Sequence, residues 1–167
     1  MKKIIKAIIR ITIILAVVLM AVWLFIAQPT MQKNAKSSET VAPERLKAHV
    51  ETMSRKLFPR NYKETNNLNK CAEYILKNFA EAGAEIQRQE FTVEGKKYIN
   101  VIGRFGKERP ERIIVGAHYD ADQETPGADD NASGVAGLIE LSYLIGKADL
   151  NKGIELVAYS LEEPPFF

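Results

Sequence analysis

The sequence predicts an α/β fold: a mixed, partly parallel sheet with helices on both faces, preceded by one N-terminal transmembrane helix. Three features carry that prediction. Two short, largely apolar runs at residues 112–117 (RIIVGA) and 154–159 (IELVAY) flank a stretch of helical periodicity, the pattern of a β-α-β crossover. An alternating segment ahead of them reads as a hairpin. Residues 11–27, ITIILAVVLMAVWLFIA, carry no charge at all.

The apolar N-terminus comes first. From Ile4 to Ala27 only Lys6 and Arg10 are charged, and both can snorkel toward headgroups. As a helix those 24 residues reach about 36 Å, against a hydrocarbon core of about 30 Å. A cleavable signal peptide is the rival reading, but its apolar core is usually shorter and ends in a small-x-small site, which Phe25-Ile26-Ala27-Gln28-Pro29 matches poorly. The expectation is therefore an uncleaved anchor over residues 1–27 that meets the bilayer through residues 4–27. Lys2, Lys3, Lys6 and Arg10 stay cytoplasmic by the positive-inside rule, so everything after Gln28 lies in the periplasm or outside the cell. Those four cations also explain the net charge of +2, because the remainder of the 167-residue chain carries −2. No basic surface for nucleic acid is implied.

Residues 28–43, QPTMQKNAKSSETVAP, are polar and read as a linker, which leaves residues 44–167 for one folded domain. Leu46, Val50, Met53 and Leu57 repeat at helical spacing between Pro43 and Pro59. A second helix is expected over residues 66–82, closed by Gly83, with Cys71 on its apolar face beside Leu68, Ile75 and Phe79. As the sole cysteine, Cys71 can form no internal disulfide and reads as a buried thiol. Residues 84–93 and 97–105 form the hairpin around Glu94-Gly95-Lys96, and a charged turn at 106–111 follows. Residues 112–117 are expected as a strand buried on both faces, 132–145 as a helix and 154–159 as a second buried strand.

Ligands of such sheets bind at the carboxyl ends of the strands. Three polar clusters occupy that edge: His118-Tyr119-Asp120 after the first strand, Asp129-Asp130-Asn131 before the helix, and Glu162-Glu163 after the last strand. Two residues apart, His118 and Asp120 can point the same way, so Asp120 can orient the imidazole. In the second cluster one carboxylate suffices to cap the helix, which frees its neighbour to bridge a pair of cations. In the third, one glutamate can bind metal while the other stays free as a general base. Imidazole and hard oxygens together suit zinc.

In this order, each at its strand or helix end, the motifs resemble the di-zinc aminopeptidase family, metallopeptidase family twenty-eight, which takes in bacterial leucyl aminopeptidase and glutamate carboxypeptidase-like proteins. The resemblance runs over residues 43–167 and includes Phe58-Pro59-Arg60-Asn61 and Tyr98-Ile99-Asn100-Val101-Ile102. It implies a zinc-aminopeptidase-like sheet and two Zn2+ ions. His118 is then a ligand of the first, Asp129 the carboxylate shared by both, and Glu163 a ligand of the second. Glu162 becomes the general base and Asp120 the partner of His118. The implied substrate is a peptide or peptide-like amide.

Family members also supply a further aspartate and histidine beyond the Glu-Glu motif, and no counterparts follow in this chain. The expectation is therefore an incomplete fold and a C-terminally truncated fragment that lacks two metal ligands. Asp122 and Glu124 are the candidate substitutes, whereas His49 falls in the first helix at the edge of the core. Two alternatives stand beside hydrolysis: glutaminyl cyclisation on the same fold with one zinc, and a non-catalytic, membrane-tethered binding domain.

Overall fold

The computed structural model describes residues 2–27, 41–106 and 111–166. The expected linker at 28–43 lies outside the described residues as far as position 40, and the charged turn lies outside them at 107–110. The chain divides into two units, Met1–Ser38 and Glu39–Phe167.

The first unit contains helix α1 (Lys2–Ala27), 26 residues or about 39 Å long. Its Ile4–Phe25 stretch has a mean hydropathy of 2.7 and no buried residues, so it is long and apolar enough to cross a bilayer. The hydroxyl of Thr12 donates to the Ile8 carbonyl at 3.1 Å.

In the second unit, α2 (Pro43–Glu51) begins on its proline and runs into a π-helical turn, Thr52–Lys56. Helix α3 (Thr65–Glu81) buries Leu68, Cys71, Ile75 and Phe79 along one stripe and gives way to Gly83 at φ +89°. Strands β1 (Glu85–Val93) and β2 (Lys96–Phe105) pair antiparallel around Glu94 and Gly95, whose φ values of +50° and +77° match the twist a tight hairpin needs. β3 (Arg112–His118), an irregular turn at Ala128–Ala132, α4 (Ser133–Ile145) and β4 (Gly153–Tyr159) complete the crossover. The sheet order is β1-β2-β4-β3, with β3 and β4 parallel and the remaining pairs antiparallel.

Phe79, Val101, Val135, Ile139 and Leu156 meet in one core with no exposed surface. Each such side chain contributes about 1.5–3 kcal/mol by leaving water. Helices α3 and α4 touch each other and share that core, so among the described residues they cover the same sheet face. The two-sided cover expected from the sequence is not seen there. The opposite face carries Glu155, which pairs with Arg104 at 2.8 Å and Arg112 at 2.9 Å.

A further expectation is corrected. Among the described residues β3 pairs only with β4 and is not buried on both faces, and Ile113 and Ile114 remain 49% and 62% exposed. β4 sits between β2 and β3. The parallel register His118↔Tyr159 then sets residues 119–121 beside residues 160–163 at one end of the sheet.

Candidate metal centre

Beyond His118 the ladder extends one bond further, with the Tyr119 N–H donating to the Tyr159 carbonyl at 2.8 Å. The Tyr119 hydroxyl donates to the Ile99 carbonyl at 2.6 Å, and burial pushes its pKa up. This strand end is therefore pinned to both β4 and β2. Asp120 comes next and is 1% exposed. Its carboxylate accepts the backbone N–H groups of Glu162 and Glu163, each at 3.0 Å. One side chain at the end of β3 thus fixes the backbone of both glutamates after β4. Charge-assisted bonds of this kind contribute about 1.5–3 kcal/mol each.

The His118 ring lies between two sets of carboxylates. Nδ1 is buried 3.4 Å from Asp120 Oδ1, too long for a firm hydrogen bond, and has no closer polar partner. Nε2 faces Asp130 Oδ1 at 3.0 Å and Glu162 Oε2 at 3.6 Å. Asp120 is the largest cause of a raised imidazole pKa, pushed up to about 9 against the opposing effect of burial, with Glu162 and Asp130 adding to it. The carboxyl of Glu163 is likewise raised, first by burial and then by the charge of Asp130.

The carboxylate that reaches His118 is that of Asp130, not Asp129. Asn131 explains the difference: its Oδ1 accepts the Gly134 N–H at 2.9 Å and satisfies the first turn of α4, so no aspartate is needed there. A Cβ on residue 134 would collide with that same oxygen, so glycine permits the close approach. Asp130 is left in an extended conformation, φ −113° and ψ 96°, with its side chain free. Asp129 instead contributes its backbone carbonyl, which accepts the Ser133 hydroxyl at 2.7 Å. The asparagine three residues before Gly134 was the signal that could have separated the two aspartates.

Ligand atoms of His118, Glu162 and Glu163 all lie within 4.8 Å of one another, with Asp130 against the same imidazole nitrogen. Carboxylates gathered this closely repel one another unless a cation lies among them. The donor set of one imidazole and hard oxygens fits zinc. Asp122 and Glu124, the candidate substitutes, line a cavity of about 420 Å³ together with Tyr62, Lys63 and Pro164. His49 is held elsewhere, with Nδ1 2.6 Å from the Tyr74 hydroxyl and Nε2 3.0 Å from Glu140 Oε1.

Residues 100–166, from β2 through the glutamate pair, match the family model of peptidase family M28. Over those residues the chain is similar to that family. Similar proteins include the uncharacterized protein YfbL of Escherichia coli K12, 40% identical over 175 aligned residues that take in all of this chain and 53% of YfbL. Aminopeptidase YwaD of Bacillus subtilis is 31% identical over 85 residues, 46% of this chain and 19% of that protein. The glutaminyl cyclase of Fimbriiglobus ruber superposes with a TM-score of 0.65 at 26% identity, over 79% of this chain and 50% of the cyclase. The chain therefore spans about half the length of YfbL and a smaller share of YwaD.

Proposed function

We propose that this chain is an M28 member and a membrane-anchored, zinc-dependent peptidase of aminopeptidase type that hydrolyses a peptide or peptide-like amide. One observation carries the reading: an imidazole and carboxylates from three separate segments converge on His118 Nε2 and on the Glu162-Glu163 pair. His118 and Glu163 would each hold one of two ions, with Asp130 between them in the role first expected of Asp129. Bound zinc supplies Lewis acidity at the amide carbonyl and brings the pKa of water down to about 7.

The chain's own groups do the remaining work. Glu162 is half-exposed, its backbone N–H is held by Asp120 and its carboxylate stands 3.6 Å from His118 Nε2, a place from which it can take a proton from the attacking water and pass it to the departing amine. Asp120 faces Nδ1, which leaves Nε2, on the side of Asp130, as the nitrogen that would hold an ion. Helix α1 serves as an uncleaved anchor, with Lys2, Lys3, Lys6 and Arg10 on the cytoplasmic side and the site on the other. The relative YwaD, named an aminopeptidase, supports hydrolysis. The likeness to a glutaminyl cyclase supports a second reading, ring closure of an N-terminal glutaminyl residue on the same site.

Zinc titration of the detergent-solubilised chain, with His118→Ala and Glu163→Ala beside the wild type, tests the centre. Parallel assays on leucyl amides and on an N-terminal glutaminyl peptide separate the two reactions. Glu162→Gln is expected to retain zinc and lose turnover. Turnover that survives this change removes Glu162 from its role, and zinc binding indifferent to His118 and Glu163 overturns the centre.

A further inference from the structure

Arg60 is the largest of the fully buried side chains, 1% exposed, and it lies beneath the proposed centre. Its guanidinium donates to four backbone carbonyls: Met53 at 2.5 Å, Tyr119 at 2.9 Å, Pro126 at 3.1 Å and Gly127 at 3.0 Å. Tyr119 directly precedes Asp120, and Gly127 lies three residues before Asp130. The Arg60 carbonyl also accepts the Ala121 N–H at 3.2 Å. Its neighbour Asn61, 5% exposed, donates through Nδ2 to the Gln123 carbonyl at 2.7 Å. These contacts tie one dipeptide to both ends and the middle of the loop that joins β3 to α4.

We infer that Arg60 and Asn61 are positioning residues: they clamp residues 119–130 so that Asp120 and Asp130 reach the two nitrogens of His118 before any ion is present. The inference rests on the metal-centre reading above. Holding residues 119–130 in one conformation costs backbone entropy, and the single contacts that Asp120 and Asp130 make with His118 do not fix the rest of the loop, so its ordering has to come from elsewhere. A planar fork with five N–H donors can span acceptors from three segments, which the three donors of a lysine ammonium on a single nitrogen cannot. Gly127 completes the fit. At φ +53° its backbone suits glycine, and a Cβ there would stand 2.9 Å from Arg60 Nη2.

The test uses the full chain in detergent with Zn2+ alone, with Co2+ as a spectroscopic probe, and with amide hydrogen exchange. Arg60→Lys is expected to weaken Zn2+ binding by about tenfold or more, shift the visible Co2+ spectrum and speed exchange in residues 119–130. Asn61→Ala is expected to weaken binding about threefold. Phe79→Leu, a core change near Gly103 and away from the site, should cost comparable melting temperature yet leave Zn2+ affinity within about twofold. A folded Arg60→Lys chain with wild-type affinity, Co2+ spectrum and exchange overturns the clamp. Should Arg60→Lys fail to fold, Asn61→Ala decides, and wild-type behaviour there overturns it equally. If the wild type shows no His118-dependent Zn2+ binding, the metal reading falls, and exchange in residues 119–130 alone then decides the clamp.

Discussion

Replacing Asp120 by asparagine probes the join between fold and site with almost no change of shape. The wild-type carboxylate accepts one backbone N–H from Glu162 and one from Glu163, from a position 1% exposed. At about 2 kcal/mol per charge-assisted bond, the pair contributes about 4 kcal/mol. Both N–H groups point at the same oxygen, Oδ2, so the amide oxygen of asparagine can keep the two bonds as neutral ones worth about 1 kcal/mol each, or about 2 kcal/mol together, while its NH2 group replaces Oδ1, the longer contact of the Glu162 N–H at 3.2 Å. The expected loss is about 2 kcal/mol. For a unit of this size 1 kcal/mol corresponds to about 4 °C, so the melting temperature should fall by roughly 8 °C. Circular dichroism through a thermal scan, run in chelator so that metal does not mask the effect, measures this directly. Zinc affinity should fall by about 10- to 100-fold, because the same carboxylate faces His118 Nδ1. A drop of less than about 3 °C with unchanged affinity would refute the view that Asp120 joins the two strand ends.

Other consequences can be checked on the same preparation. Gly134→Ala should push Asn131 off its capping position and displace Asp130, so calorimetric zinc titration should show weaker binding by about tenfold, and unaltered binding would disconnect the cap from the site. Glu140→Ala removes the buried acceptor shared by His49 and Arg45, and the urea midpoint should fall by an amount equivalent to about 3 kcal/mol; an unmoved midpoint would mean the network is replaceable by water. Burial pushes the Cys71 thiol up to about 12 from an ordinary value near 9, so between those values the unfolded chain releases a proton that the folded one keeps. Stability is therefore fully present below pH 9 and declines as pH rises toward 12. At pH 8 a thiol reagent should label only denatured chains, and rapid labelling of the native protein would contradict that burial.

Much of this arrangement can be read from the residues. The stripe of Leu68, Cys71, Ile75 and Phe79 specifies α3 because burial follows the helical period. Glu94-Gly95 marks the hairpin because both positions need left-handed backbone. The strand-helix-strand order places His118 and the glutamate pair on one rim because parallel neighbours end on the same side. What escapes a linear reading is context. An apolar run such as residues 112–117 looks the same in the middle of a sheet and at its edge. Asp129 and Asp130 are chemically identical, and only the side chain of Asn131 decides which one is free. Arg60 carries a charge that composition assigns to the surface, and its burial depends on four carbonyls that meet only after folding.

The parallel pairing of β3 with β4 also sets an order of events during maturation. His118 and Glu162 belong to stretches that cannot meet through any local turn, since α4 must first be laid across the sheet between them. A nascent segment ending anywhere before β4 offers an ion at most an imidazole and stray acids. On the proposed reading, capture of zinc would be a late checkpoint on strand registration, because a slip of one residue would swap which glutamate turns inward and spoil the grip.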